Sequence, residues 1–415
     1  MERNFDIAIV GAGPAGLTAA IVAKKENPGL RVVILEKKEV AGKKLSATGN
    51  GRGNLSNKNC QLLPQILKFF SEVGIATRMD EEGRIYPYSE EAKAVTAALV
   101  KRAKVLGIEI VTDCQVRSVE ADRKGSFRIF VCRGDNDKYA NARECNATEC
   151  MRSEKLLIAT GGKSFAVYGS TGDGYALARS LGHSVVPPVP ALTAIEVENP
   201  EDLKRIKGIR AKGEVSLFIE GNGVFKEVGE VQFREDSLSG ICIMNMSSFL
   251  PVKNHGEGDG MLSKCRISIN LVPDFSTVDL MEFLITKGKL EGINTVDLAE
   301  TVVKGSLAEY VLERAGIDGQ KPASELGSKE LVAIANGLRN LSFVPCGRKG
   351  WKEAQVTKGG VSLKEIDMGT MESKVCPGLY FAGEVIDYDG PCGGYNLHNA
   401  WLTGIKAGKD MANHV

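Results

Sequence analysis

The N-terminal part of the chain reads FDIAIVGAGPAGLTAAIVAKK over residues 5–25. Its first apolar run, residues 5–10, is bounded by glycine and predicts a buried strand. The Ala-rich segment 14–25 predicts a helix, and the β-branched run 31–35 predicts a second strand. Strand, helix and strand together form a βαβ unit of about 30 residues, the usual length of this motif.

The glycines between the first strand and the helix follow the spacing Gly11-x-Gly13-x-x-Gly16. We expect Gly11 to permit a tight turn, Gly13 to let the backbone approach a pyrophosphate, and Gly16 to allow close packing of helix on strand. Pro14 and Ala15 open the helix, whose N-terminus offers unpaired N–H groups and the positive end of its dipole to a phosphate. This spacing therefore predicts a binding site for a dinucleotide.

An acidic residue, Glu36, follows the second predicted strand, and Lys37 comes next. A carboxylate at this point of the motif accepts hydrogen bonds from the hydroxyls of an adenosine ribose. The order of strand, glycine turn, helix, strand and acid is more specific than the glycine spacing alone. We therefore predict a Rossmann-type unit, with Glu36 and Lys37 at its nucleotide.

Two further segments resemble motifs of flavoproteins with two dinucleotide-binding domains. Residues 157–162, LIATGG, resemble a strand end of these proteins, and residues 378–384, GLYFAGE, resemble their C-terminal flavin motif. No second glycine motif for a separate NAD(P)H-binding domain occurs in the middle of the chain. The three motifs favour FAD over NAD as the bound nucleotide, and they add these candidate FAD-binding residues: Thr160, Gly161, Gly383 and Glu384.

Three other segments narrow the resemblance. They are GKKLSATGNGRGNLSN at residues 42–57, RIYPYS at 84–89 and DGPCGGYNL at 389–397. All three are similar to motifs of the BaiN-like (YhiN-type) NAD(P)/FAD-dependent oxidoreductases, and the similarity spans nearly the whole chain. One departure is Gly53, where many relatives carry cysteine, so we expect no thiol chemistry at that position.

The resemblance implies an α/β fold, namely a two-dinucleotide-binding-domain flavoprotein whose Rossmann-type FAD domain is interrupted by a β-barrel-like and helical insertion. Composition indicates similar boundaries, because the proline cluster at 187–190 predicts a domain junction. We predict an FAD domain from residues 1–190 and 345–415, a β-rich substrate domain over 191–272, and a helical segment over 273–344. Within these domains, sequence patterns predict helices at 89–106, 172–181, 278–287, 298–315 and 397–412, the first with a Ser89 cap.

Flavin reduction leaves negative charge near N1 and the C2 carbonyl. Because Gly393 to Leu397 open the last helix, we expect their backbone N–H groups to face that carbonyl. The pair Gly359-Gly360 is expected near the flavin ring, with a β-turn as the alternative. Arg52 is expected at the flavin or pyrophosphate, with a surface position as the alternative. The remaining candidate cofactor-binding residues are Lys44, Gly49, Gly53, Asn54, Val116, Gly394, Tyr395 and Asn396.

Members of the family or close relatives include an enzyme that reduces C=C bonds of 3-oxo bile-acid intermediates and an aminoacetone oxidase. The resemblance thus implies a reductase in which NAD(P)H reduces FAD and the substrate is then reduced. The candidate catalytic residues are Tyr395 and His398, with Tyr168 and Tyr86 as further possible proton donors. An amine oxidase that uses O2 and a non-catalytic flavin-binding module stay open as alternatives.

The charge balance, 53 Lys and Arg against 52 Asp and Glu, gives no electrostatic case for nucleic acid or an anionic membrane. We therefore predict a small-molecule substrate. The ten cysteines include no CxxC pair, and the four histidines are scattered, so no metal site is expected. His183 and His255 are expected to be structural or exposed. Without a leader or a run of about 20 apolar residues, the chain is predicted to be cytoplasmic with no membrane span.

Overall fold

The computed structural model has a mixed α/β fold, and it describes residues 3–122, 125–134, 149–252 and 259–415, which leaves His255 outside the described residues. The strands are β1 (Arg3–Val10), β2 (Val32–Leu35), β3 (Ser56–Asn57), β4 (Thr77–Met79), β5 (Arg84–Pro87), β6 (Glu109–Val111), β7 (Cys114–Ala121), β8 (Phe127–Arg133), β9 (Glu149–Ile158), β10 (Val185–Ala191), β11 (Ile195–Val197), β12 (Arg210–Ile219), β13 (Asn222–Phe233), β14 (Ser237–Ser239), β15 (Cys265–Asn270), β16 (Leu341–Phe343), β17 (Pro345–Arg348), β18 (Val356–Val361) and β19 (Leu379–Phe381). The helices are α1 (Pro14–Glu26), α2 (Leu63–Glu72), α3 (Ala92–Val105), α4 (Asp173–Ser180), α5 (Glu201–Lys204), α6 (Ile241–Ser247), α7 (Thr277–Lys287), α8 (Thr295–Glu300), α9 (Gly305–Arg314), α10 (Ser328–Arg339) and α11 (Tyr395–Asn413).

The chain divides into two compact units. Residues 1–190 and 355–415 form the first, and residues 191–354 form the second. The first boundary directly follows the proline cluster that predicted it. The chain returns to the first unit at residue 355 rather than at the predicted 345, because β17 pairs with β11 and stays in the sheet of the second unit.

The main sheet of the first unit has a parallel core in the order β6-β2-β1-β9, with β19 also parallel to β9. Ile9 pairs with Ile34 on one side and with Leu157 on the other, and all three side chains are fully buried. Continuous apolar runs are typical of parallel strands that are covered on both faces. The βαβ unit predicted from the N-terminal sequence is therefore the centre of this Rossmann-type sheet.

Strand β9 begins at Glu149, well before the apolar run at residues 156–159 that indicates a strand in the sequence. Its first half pairs antiparallel with β8, and its second half pairs parallel with β19. The polar sequence of residues 134–152 predicts a hairpin end or a mobile excursion, but residues 149–152 lie in this strand, and residues 135–148 lie outside the described residues.

The second unit contains a seven-stranded sheet in the order β16-β15-β12-β13-β14-β11-β17. Its two end strands, β16 and β17, are separated in sequence by Val344 alone, so the sheet curls until its ends are neighbours. Helices α7 to α10 supply many of the apolar side chains in the core of this unit.

The single helix predicted over 298–315 is wrong, because the structure has two helices there, α8 and α9. Thr301 Oγ1 donates to Leu298 O at 2.7 Å at the end of the first helix. Lys304 is extended, with φ −60° and ψ 141°, and begins the second. A side-chain bond and one extended residue therefore interrupt an otherwise helical apolar pattern.

The cap predicted at Ser89 is also wrong, because α3 begins at Ala92 and its N-cap, Glu91, makes no side-chain capping bond. Glu90 adopts a left-handed conformation with φ 52°. Its carboxylate pairs with Arg52 and Arg78 instead of serving the first turn of the helix.

Candidate flavin site

The glycine turn after β1 combines two crowded positions with one open position. A Cβ at Gly11, where φ is +105°, would lie 2.5 Å from Ala159 O, and a Cβ at Gly16 would lie 2.0 Å from Gly11 O. At Gly13, in contrast, a Cβ would meet no atom within 4 Å. The turn therefore leaves free space directly in front of α1.

The N-terminus of α1 faces this space without a side-chain cap and without an acidic residue in its first turn. Pro14 has no N–H group, and Leu17 N donates to Gly13 O at 3.0 Å as the first bond of the helix. The N–H groups of Ala15 and Gly16 therefore have no acceptor within the helix. This arrangement fits the pyrophosphate of a dinucleotide.

The carboxylate of Glu36 links the glycine turn to the end of β2. Its Oε2 accepts from Ala12 N at 2.8 Å, and its Oε1 accepts from Lys38 N at 2.9 Å. Burial raises the pKa of this carboxyl, against the effect of these bonds. Each carboxylate oxygen still has a lone pair to offer, which suits the hydroxyls of a ribose.

Lys37 is anchored next to this carboxylate rather than extended into solvent. Its Nζ lies 2.7 Å from Asp173 Oδ2 at the start of α4. Burial opposes ionisation of Asp173, but Lys37 lowers the pKa of that carboxyl overall. The ion pair therefore fixes the residues that follow Glu36.

Four of the predicted segments meet because each follows a strand of the same parallel sheet. The glycine turn follows β1, Glu36 follows β2, Thr160 and Gly161 follow β9, and Gly383 and Glu384 follow β19. The carboxyl ends of parallel strands lie at one edge, which is where such sheets bind ligands. Val116 lies in β7 of the same sheet and is buried.

Lys44 and Glu384, which belong to different sequence motifs, form a half-buried ion pair. Lys44 Nζ lies 2.7 Å from Glu384 Oε2, and it donates to Ser164 Oγ at 2.9 Å. Glu384 Oε1 accepts from Thr357 N at 2.8 Å. Ser164 and Thr357 are fully buried, and the sequence analysis missed both, because single hydroxyl residues outside a motif carry no sequence signal.

We expect Glu384→Gln to weaken FAD retention about tenfold, because an amide cannot accept from both Lys44 and Thr357, and a lost charge-assisted bond costs about 1.5 kcal/mol or more. Flavin released from purified protein on dilution measures the effect by its fluorescence. The control is Glu39→Gln, which breaks the exposed pair of Glu39 with Lys43. Equal retention by both variants would contradict a role for this pair at the cofactor.

The segment 54–57 is bonded to the first turns of α11. Asn57 Nδ2 donates to Gly393 O at 3.1 Å, and Trp401 Nε1 donates to Leu55 O at 2.9 Å. Leu55 N also donates to Ile85 O at 2.7 Å, and β3 pairs with β5. The three segments that carry the family resemblance are therefore in direct contact.

Gly394 lies at the centre of this contact. Its φ is +100°, and a Cβ would lie 2.3 Å from Ser56 O. Asn54 is oriented so that its amide nitrogen donates to Ser56 O at 3.0 Å and its oxygen accepts from Gly394 N at 3.2 Å. The first turn of α11 then has three N–H groups without an acceptor in the helix, those of Tyr395, Asn396 and Leu397. These three groups fit the predicted role toward a flavin carbonyl.

Asn396 uses its side chain to hold the preceding loop. Gly390 N donates to Asn396 Oδ1 at 2.9 Å, and Asn396 Nδ2 donates to Gly390 O at 2.8 Å. This reciprocal pair fixes the loop 390–394 to the helix that it precedes.

His398 is buried, and both nitrogens of its ring are engaged. Nδ1 lies 2.8 Å from Ser56 Oγ, and Nε2 lies 2.8 Å from Gln61 O. Because a carbonyl only accepts, Nε2 carries the proton and Nδ1 accepts from the serine. Burial lowers the pKa of the ring. This geometry favours a structural role for His398 over the catalytic role that was predicted for it.

Three other predicted residues, Gly359, Gly360 and Arg52, pack against other parts of the protein. Gly359 and Gly360 lie inside β18 rather than in a β-turn, and side chains there would meet Pro187 O at 2.6 Å and Val385 O at 2.7 Å. Arg52 is half-exposed and lies over the ring of Tyr86, with 4.6 Å between its guanidinium carbon and the ring centroid.

Gly49 and Gly53 shape the loop in front of α3. Both have positive φ, +59° and +75°, and a Cβ at Gly53 would lie 3.2 Å from Ala92. The present backbone therefore leaves little room for a cysteine side chain at position 53. Tyr168 packs beside Phe165, with 6.0 Å between the two ring centroids.

Within the described residues, no helix is both long and apolar enough to cross a bilayer. The same residues contain no group of three His, Cys, Asp or Glu side chains placed to hold a metal ion. His183 is buried, with Nε2 2.7 Å from Ser373 Oγ, as expected of a structural histidine.

Comparison with known proteins gives matches over nearly the whole chain. The model of the HI0933-like protein Rossmann domain matches residues 63–410, and that of an NAD(P)-binding Rossmann-like domain matches residues 9–67. The chain is 31% identical to the 3-dehydro-bile acid delta(4,6)-reductase of Clostridium scindens, over 98% of both chains. It is 28% identical to the ribosomal RNA dihydrouridine synthase of Escherichia coli, over 99% of this chain and 98% of that protein.

Among solved structures, the 3-ketosteroid-delta4-(5alpha)-dehydrogenase of Rhodococcus jostii RHA1 is similar in fold. Its TM-score is 0.50 with 15% sequence identity, over 99% of this chain and 97% of that one.

Proposed function

Because the chain belongs to the HI0933-like family of FAD-dependent oxidoreductases, we propose that it reduces an activated C=C bond in a 3-oxo steroid-like small molecule, with NAD(P)H as electron donor. The observation that carries this proposal is the full-length similarity to the bile acid reductase. The three glycine motifs that would hold FAD lie in one unit of the chain, which supports the binding of one FAD there.

The names of the two kinds of relative share one chemistry. A Δ4 double bond next to a 3-oxo group is conjugated to a carbonyl, and so is the C5=C6 bond that is saturated when uridine becomes dihydrouridine. Reduction of a carbonyl-conjugated C=C bond is therefore the part of the proposal that both relatives support.

Charge favours a small molecule over ribosomal RNA as the substrate. Residues 191–354, the second unit, contain 24 Asp and Glu residues against 20 Lys and Arg residues. Proteins that bind RNA bring an excess of basic side chains to the phosphates. The second unit offers no such excess.

In this proposal, the N–H groups of Ala15 and Gly16 and the carboxylate of Glu36 hold the adenosine diphosphate part of FAD. The N-terminus of α11 stabilises negative charge at the flavin end. When bound, FAD supplies hydride transfer between the nicotinamide and the substrate.

The test is an anaerobic titration of the yellow protein with NADH and with NADPH. We expect bleaching of the flavin absorbance by one of them, and recovery of the colour on addition of a 3-oxo-4-ene bile acid. Bleaching by aminoacetone but by neither nicotinamide would instead support an amine oxidase. Recovery with a uridine-containing ribosomal RNA fragment but not with the steroid would overturn the proposed substrate class.

A further inference from the structure

Three of the four residues predicted as possible donors to the substrate have partners within the protein or lie toward the adenosine end of the site. Both nitrogens of His398 are bonded. Tyr86 is buried beneath Arg52. Tyr168 precedes Gly169, which packs against Lys38 close to Glu36, on the side where adenosine is expected. Tyr395, in the first turn of α11, is the fourth candidate, and the loop between β19 and α11 carries a second tyrosine beside it, Tyr388, that no sequence motif indicated.

The phenol of Tyr388 folds over the loop that precedes α11. A Cβ at Gly390 would lie 3.0 Å from Tyr388 Oη and 2.9 Å from Tyr395 Cβ, so both tyrosines pack against this glycine. Gly390 is itself fixed by its reciprocal bonds to Asn396. The backbone of the tyrosine is fixed as well, since Tyr388 N donates to Ile386 O at 2.7 Å.

The hydroxyl of Tyr388 makes no hydrogen bond to any residue that the structure describes. The residue is 36% exposed, so the loop does not enclose its side chain. Its surroundings keep the proton in place, because burial, with the nearby Cys60 and Asp389, raises the pKa of the phenol. A protonated phenol is a donor, and a carbonyl oxygen is the acceptor that it suits.

We propose that Tyr388 donates a hydrogen bond to the carbonyl oxygen of the substrate, next to the first turn of α11. This inference rests on the proposed function, because it assigns the residue that recognises the 3-oxo group. In that position the phenol both orients the substrate and draws electron density toward its oxygen, which activates the conjugated C=C bond.

The test measures binding rather than turnover, with a saturated 3-oxo cholanoid that cannot be reduced at C=C and its 3-deoxy analogue. Titration calorimetry on FAD-loaded protein gives Kd for both ligands with the parent chain, with Tyr388→Phe, and with the control Tyr88→Phe. Tyr88 is 68% exposed, and its ring lies 5.6 Å from the guanidinium carbon of Arg78. Loss of one neutral hydrogen bond should weaken binding of the 3-oxo ligand about tenfold in Tyr388→Phe.

Binding of the 3-deoxy ligand should be unchanged in Tyr388→Phe, and Tyr88→Phe should bind both ligands as the parent does. An equal loss for the two ligands, or no loss for either, would overturn the role of Tyr388 while the proposed function stands. If the parent chain binds neither ligand, the steroid-like substrate is wrong, and the assignment of Tyr388 falls with it.

Discussion

Gly394→Ala is expected to abolish FAD retention and to lower the free energy of unfolding by about 3 kcal/mol. Alanine at φ +100° is strained, and its Cβ would lie 2.3 Å from Ser56 O and 2.7 Å from the side-chain amide of Asn54. The segment 54–57 would have to move away from α11, which breaks the bond of Asn54 to Gly394 N and turns the helix N-terminus away from the flavin. Flavin content after gel filtration and urea unfolding measure the two effects.

The control separates backbone strain from the clash. Gly74 also has positive φ, +82°, but a Cβ there would meet no atom within 4 Å. Gly74→Ala should therefore cost only about 1 kcal/mol of strain and keep its FAD. If Gly394→Ala retained stoichiometric FAD, the contact between the two motifs would not be needed for the cofactor.

The parts of the fold that could be predicted are those that local sequence determines. The apolar run before Gly11, the helix after it and the acid at Glu36 each have a local physical cause, and all lie where they were expected. Predictions of helix ends failed where a side chain forms an ion pair or a hydrogen bond that the sequence pattern does not indicate. Glu90 pairs with Arg52 and Arg78 instead of serving α3, and Thr301 closes α8 early.

The site follows the same division. Glycine motifs predict residues at the cofactor, because a backbone that approaches a ligand closely requires glycine. They did not predict the pairing of Lys44 with Glu384, which are 340 positions apart. Nor did they indicate Tyr388, because its proposed role depends on the loop against which it packs. Distances across the chain are set by the sheet, which brings the ends of its strands to one edge.

His398→Ala is the other substitution with a large expected effect, a loss of about 3 kcal/mol in the free energy of unfolding. The change leaves Ser56 Oγ and Gln61 O without their partner, at about 1–3 kcal/mol for each buried polar group, and it removes a link between residues 56–61 and α11. FAD retention should fall in parallel, as measured by flavin content. A variant that kept full stability would contradict the structural role assigned to this ring.

The pH dependence of stability gives a second readout of the same substitution. Burial lowers the pKa of His398 below about 6.5, the ordinary value for histidine. Below about pH 6.5, the ring therefore binds a proton in the unfolded chain but stays neutral in the native protein. Stability is therefore complete above that pH and falls as the pH drops toward the lowered value. The curve for His398→Ala should lie lower but be flatter below about pH 6.5, and some slope should persist because burial also lowers the pKa of His183.

The control His414→Ala changes an exposed histidine near the chain end and should follow the parent curve. A parent slope that His398→Ala leaves unchanged would show that the ring is already charged in the native protein, and its two hydrogen bonds would then need a different assignment.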